Sequence, residues 1–134
     1  SIRAALDFLN LVMRRRAAVF LISDFKAPPL DSSFAITAKQ HDLIPVQVMD
    51  PLEKKWPGMG LVELEDMETG ERVLFDTSSR RSNEILAAAY QKNQDDLKKI
   101  FRSFNLDDLA FRTDQSVVQP LRQFFRVRRH RKLR

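Results

Sequence analysis

Cysteine is absent from these 134 residues. That excludes disulfides, thiolate catalysis and zinc–thiolate sites, and it fits a reducing compartment. Histidine occurs twice, at His41 and His130, which leaves little for imidazole-based metal or triad chemistry. The three glycines, Gly58, Gly60 and Gly70, open no helical pattern, so there is no phosphate-cradling loop. No serine lies in a Gly-x-Ser-x-Gly elbow. No apolar run approaches the roughly 18 residues that cross a membrane. The opening stretch from Ile2 to Val12 is interrupted by Arg3, Asp7 and Asn10, unlike a signal peptide. What remains is 43% hydrophobic and 31% charged, the composition of one soluble globular domain large enough to bury a core. The chain opens on Ser1, already inside a helical pattern, and is expected to be a piece of a longer, cytoplasmic protein.

The net charge of +5 is unevenly spread. From Arg122 to Arg134 there are seven Lys or Arg residues and no acid; without them the first 121 residues carry about −2. The body is therefore not a basic domain, and nucleic acid is not the expected partner. The basic tail at 126–134 reads as the fraying end of a helix, its cations suiting the negative pole of the dipole. A polyanion-binding tail is the competing reading, and would show affinity falling steeply with salt.

Ile2, Ala5, Leu6, Leu9, Val12 and Met13 recur at helical spacing, predicting a helix over 2–15. Ala17 to Ser23 is an apolar run of strand length, predicted to be buried on both faces as in a helix-covered parallel sheet, and it stops on Asp24. Pro28 and Pro29 break the chain, and Asp31 or Ser32 can cap a helix over 33–40. A second strand runs from Leu43 to Met49, parallel to the first because a helix intervenes. Pro45 lacks a ladder donor, which implies an irregular start or an N atom facing an unpaired edge. Trp56-Pro57-Gly58-Met59-Gly60 is turn chemistry, with Trp56 either a loop anchor or a partner contact. Two alternating runs joined at Met67–Gly70 then predict a β-hairpin excursion over 61–75. A cap at Thr77, Ser78 or Ser79 begins the longest helix, to about Phe104, burying Ile85, Ala89, Leu97, Ile100 and Phe104. Asp108 to Arg112 is a last strand. Val117 to about Val127 is a last helix with Leu121, Phe124 and Phe125 inward. His41 reads as a surface or capping residue.

Asp24, Asp50 and Asp114 all fall just past strands that alternate with helices. In open α/β sheets ligands bind outside the carboxyl ends of the strands. If the strands are parallel, the three carboxylates share one edge and could hold Mg²⁺, a hard cation that takes one or two carboxylates and several waters. The structural alternative is plain: Asp114 can cap the final helix, and Asp50 before Pro51 can belong to a turn.

These residues carry a resemblance. The helix with Ile2, Ala5 and Leu6, the three arginines Arg14–Arg16, and Val19-Phe20-Leu21-Ile22-Ser23-Asp24-Phe25 resemble the region of the fourth strand of a von Willebrand factor type A domain. More narrowly they resemble the bacterial family catalogued as domain of unknown function fifty-eight. The match continues through His41-Asp42-Leu43-Ile44, Asp50-Pro51, Gly60 to Asp66, Thr69-Gly70, Asp76-Thr77-Ser78, Thr113-Asp114, Leu121 and Phe124-Phe125, spanning nearly the whole chain. The resemblance implies a three-layer α/β fold, a mainly parallel sheet flanked by helices, with residues 1–134 forming its C-terminal part as a single partial domain. It also implies an interaction or assembly role beside a MoxR-type AAA+ ATPase, without catalytic activity. In such domains a metal-ion-dependent adhesion site takes an Asp-x-Ser-x-Ser loop, a Thr and an Asp. Of these Asp24 alone is matched here, so Asp24 is the candidate metal ligand. Mg²⁺ is expected with a full-length protein, and weakly or not at all with these residues. Asp76-Thr77-Ser78-Ser79-Arg80 mimics the first loop but carries Arg80 in place of its last serine.

The expected function is thus a non-enzymatic docking module whose carboxyl edge around Asp24 meets the ATPase. The alternative is a Mg²⁺-dependent phosphoryl-transfer enzyme or nuclease using Asp24, Asp50 and Asp114. An enzyme needs a base and charge-stabilising groups converging on one point. The sequence places no suitable His or Lys near those aspartates, which favours docking.

Overall fold

The computed structural model describes residues 2–26, 31–54, 57–65 and 70–132, with backbone only at 54 and 130–132. Trp56, the 66–69 turn and the last two residues of the tail lie outside the described residues. The element order is α1 (Ile2–Val12), β1 (Ala18–Ser23), α2 (Ser32–Gln40), β2 (Asp42–Met49), α3 (Pro51–Lys54), β3 (Leu61–Glu65), β4 (Arg72–Asp76), α4 (Arg80–Ser103), β5 (Leu109–Arg112) and α5 (Val118–Lys132). Strands β1, β2 and β5 form one parallel sheet in that order. The β3–β4 hairpin is a separate antiparallel pair, as its alternation predicts. Thr77 clasps its base: the buried Oγ1 donates to Gly60 O at 2.7 Å and accepts from Met59 N–H at 2.9 Å.

Period-two strands send alternate residues to opposite faces, and the sheet is accordingly covered on both sides. Against one face Leu6 of α1, Phe34 of α2 and Leu97, Ile100 and Phe101 of α4 pack with Phe25, Leu43, Val19 and Leu21. Against the other Phe124 of α5 packs with Ile44, Val46, Leu109 and Phe111. This is a three-layer α/β arrangement. Asp31 caps α2, its Oδ1 accepting Phe34 N–H at 2.9 Å, and Ser79 caps α4. Pro45 sits buried in the central strand. Asp42 N–H bonds Ala17 O while Thr113 N–H bonds Met49 O, so odd residues of β2 face β5. The β5 ladder starts only at Val46, and the missing Pro45 donor therefore falls where no partner strand has begun.

Several expectations are corrected. Strand β1 is not buried on both faces: Ala18, Phe20 and Ile22 are exposed and Val19, Leu21 and Ser23 half-buried; it is the outer strand of the described sheet, and α5 meets it at Phe20 through Phe125. In α4, Ile85 and Ala89 are exposed; burial is confined to Leu97, Ile100 and Phe101, where the helix crosses α2 and the sheet. In α5 only Phe124 enters the core, while Leu121 and Phe125 remain exposed. For His41 the capping reading holds and the surface one does not: it is the C-cap of α2 and 2% exposed, with Nδ1 accepting from Ala17 N–H at 3.4 Å. The start of the basic tail is an anchored helix. Arg128 bridges Asp42 and Asp107 and lies over the Phe124 ring at 5.3 Å.

Candidate functional site at the carboxyl edge of the sheet

Because β1, β2 and β5 are parallel, Asp24, Asp50 and Asp114 do lie at one edge, just past the three strand ends. Local chemistry fixes each of them. After β1 the chain turns through Phe25, a non-glycine residue in the left-handed region (φ 51°), a conformation costing roughly 1–2 kcal/mol. The Phe25 ring is fully buried and meets Phe101 edge-on at 5.5 Å. Burying such a ring is worth about 1.5–3 kcal/mol, enough to offset the backbone strain. The same turn leaves Asp24 and Lys26, on either side of Phe25, facing solvent.

Asp24 Oδ1 accepts Lys26 N–H at 3.4 Å, and its Oδ2 lies 3.7 Å from Lys26 Nζ. That ammonium reaches Glu53 Oε1 of α3 at 3.3 Å. The hydrogen bond and charge of Glu53, then that of Asp24, hold the Lys26 pKa above its ordinary value, outweighing slight desolvation. Asp50 caps α3, its Oδ1 accepting Leu52 N–H at 2.9 Å. Helix α4 braces this edge from the side. Asn93 Nδ2 donates to Lys26 O at 3.2 Å, and the Tyr90 hydroxyl donates to Met49 Sδ at 3.4 Å. Burial and the nearby Glu53 carboxylate raise the Tyr90 pKa, Arg112 opposing them. Asp114 forms a two-point pair with Arg112 at 3.0 and 2.8 Å. It does not cap α5; Ser116 Oγ accepts Val118 N–H there.

The edge thus combines Asp24, Lys26 and Glu53 in one charge cluster, with Asp50 and Asp114 occupied locally. Among the described residues no group of three metal-capable side chains gathers. The chemistry of the donors does not fit Mg²⁺ either: an ammonium stands beside Asp24 where further oxygen ligands would be required. The Asp76 motif is likewise structural, Oδ1 accepting Ser78 N–H and Oγ–H at 3.0 and 2.9 Å. Sequence reasoning missed Lys26, Glu53, Tyr90 and Asn93. Lys26, two residues after Asp24, was legible as a neighbour. The others come from α3 and α4 and carry no local signal.

A parallel sheet helix-covered on both faces, with its charged groups at the carboxyl edge, defines the class: an open α/β domain. The chain belongs to the family described as protein of unknown function DUF58, whose model matches residues 1–96. It is similar to uncharacterized protein MAV169 of Mycobacterium avium, 29% identical over 126 residues, covering 93% of this chain and 74% of that protein. It is also similar to uncharacterized protein Rv1480 of Mycobacterium tuberculosis, 30% identical over 132 residues, covering 93% of this chain and 39% of that protein. The chain therefore spans well under half of the longer relative. No solved structure matches it.

Proposed function

We propose that this chain is a non-enzymatic interaction module of the von Willebrand factor A-like kind. In this reading it docks a MoxR-type AAA+ ATPase in the bacterial cytoplasm through the carboxyl edge at Asp24, Lys26 and Glu53. The observation that carries the reading is the state of Lys26. Its ammonium is 71% exposed and paired with two carboxylates, and its raised pKa keeps it protonated at neutral pH. A general base needs a pKa lowered toward the operating pH, so Lys26 is suited to presenting charge and not to taking a proton. A lysine does stand beside Asp24, but one unsuited to base catalysis, so the preference for docking is kept. The rim bears charges of both signs, which electrostatic complementarity with a partner can use.

The test is capture of the ATPase by the parent protein carrying Asp24→Ala or Lys26→Ala, with thermal melts alongside. Both substitutions should abolish capture and change stability by about 0.5 kcal/mol or less, being exposed. Leu43→Ala, at a site 2% exposed in the core, should cost roughly 2–5 kcal/mol. Normal capture by folded Asp24→Ala protein overturns the docking edge.

A further inference from the structure

Three parallel strands place the beginnings of β1, β2 and β5 at one end of the sheet, opposite the carboxyl edge. Helix α5 leaves the carboxyl end of β5 and runs back over the sheet, so its later turns reach that amino end. Arg128 fixes them there by pairing with Asp42, the first residue of β2. Asp42 N–H in turn bonds Ala17 O, directly after Arg14, Arg15 and Arg16. Two arginine runs from opposite ends of the sequence thus meet at one end of the molecule.

Most of these arginines do not serve the fold. Arg122, Arg126 and Arg129 share one stripe of α5 by helical spacing, on the far side from Phe124, the residue that packs into the core. The packing of α5 itself turns this stripe outward, however the outer side of β1 is covered. All three are exposed, as are Arg14–Arg16, and none of the six makes an ion pair among the described residues. Helix α4 shows the ordinary surface pattern, with Arg80 paired to Glu84 and Lys99 to Asp96. Helix α5 has six basic residues and no acid, although like charges four apart repel. The helix dipole accounts for cations only in the last turn, and Arg122 stands in the first half of the helix.

Charge of one sign, uncompensated on the protein, fits a partner of the other. A nucleic-acid groove adds aromatic faces on which bases stack; Phe125, the aromatic beside the stripe, already meets the rings of Phe20 and Phe124 at 6.4 and 5.4 Å. An anionic lipid surface asks only for a spread of exposed cations, each worth about fivefold in binding. Among the described residues no helix is long and apolar enough to cross a membrane, so such a contact is peripheral. We infer that the amino end of the sheet, through Arg14–Arg16 and the Arg122, Arg126 and Arg129 stripe, rests on the acidic headgroups of a phospholipid bilayer. The opposite end carries Asp24, Asp50, Glu53 and Asp114 against Lys26 and Arg112, an excess of acid. The field of the molecule therefore orients it on the bilayer with its carboxyl edge turned away.

The test is co-sedimentation of residues 1–134 with sucrose-loaded vesicles, with no ATPase present, so that its result is independent of the docking proposal. Binding is expected to vesicles of equal parts phosphatidylglycerol and phosphatidylcholine and not to phosphatidylcholine alone. Release is expected in about 1 M salt, where the Debye length falls to about 3 Å. Changing Arg122, Arg126 and Arg129 together to Gln should not lower the melting temperature and should reduce the partition coefficient about a hundredfold. The same change at Arg14–Arg16 should do likewise. Arg81→Gln with Lys92→Gln, which removes two exposed cations of α4, should reduce it less than about threefold. No binding to the anionic vesicles, equal losses per charge in the α4 variant, or duplex DNA that strips the protein from vesicles at equal phosphate concentration each overturns the proposal.

Discussion

At the scale of the residue, Phe25 explains why the edge has the shape it does. Its left-handed backbone is tolerated because its ring is locked among Phe101 and the α2–α4 core, and the reversal it creates throws Asp24 and Lys26 outward. A strand ending in Ser-Asp-Phe-Lys gives no hint of this, since the strain is compensated by residues some 75 positions away. The ionisable groups of the edge lead to a pH prediction. The folded pKa values of Lys26 and Tyr90 both lie above their ordinary 10.5 and 10.0. Each group thus binds its proton more tightly in the fold, and the stability this contributes is present below the ordinary value and lost as pH rises through the folded one. Urea unfolding midpoints should hold steady from neutral pH to about pH 10 and decline above it. Glu53→Gln should bring the Lys26 ammonium titration, followed by NMR, back toward its ordinary value and flatten the decline. An unchanged Lys26 titration in Glu53→Gln protein would remove Glu53 as the cause.

At the scale of the element, α5 departs most from expectation. Its composition, six basic residues and no acid between Val118 and Lys132, reads as a solvated tail. Spacing alone cannot tell a cation in water from one held by Asp42 and Asp107. Arg128 is the cation so held, 19% exposed, and the only feature that distinguishes it from Arg126 or Arg129 is its place one turn beyond Phe124. Removing residues 126–134 should therefore not be silent. Loss of charge-assisted bonds at Asp42 and Asp107 should cost about 2 kcal/mol and lower the melting temperature by several degrees. Arg128→Ala should reproduce most of that loss, whereas Arg129→Ala, at an exposed position, should leave the melt unchanged. Helix α4 shows the same limit. Its periodicity runs along the whole length, but full burial is confined to Leu97, Ile100 and Phe101, so Ile85 and Ala89 keep an apolar stripe that nothing described covers.

At the scale of the whole molecule, parallel topology sorts the chain's chemistry to opposite ends. The carboxyl edge collects Asp24, Lys26, Asp50, Glu53, Arg112 and Asp114. The amino end takes Arg128 with Asp42 at the start of β2, beside the residues that follow Arg14–Arg16. Sharing an edge is not convergence. Three aspartates on one side of a sheet invite a metal, yet Asp114 is taken by Arg112, Asp50 by the start of α3, and Asp24 by Lys26. Isothermal titration of residues 1–134 with Mg²⁺ should accordingly show no micromolar binding, and Lys26→Gln should not create it, because too few oxygen ligands remain at Asp24. Micromolar binding by the unaltered chain would revive the phosphoryl-transfer reading.

The order of helices and strands, the parallel sheet, the hairpin excursion and the alignment of Asp24, Asp50 and Asp114 along one edge were legible in the sequence. Each follows from short-range periodicity and from the rule that a helix between two strands makes them parallel. Only the tertiary structure decided that β1 keeps an exposed face, that Lys26 and Glu53 belong with Asp24, that Arg128 is held by two carboxylates, and that Asp114 serves Arg112. These are outcomes of which elements end up side by side. Periodicity reports that a face is apolar or a residue charged, but what lies opposite is set by packing between distant segments, which leaves no local mark on the chain.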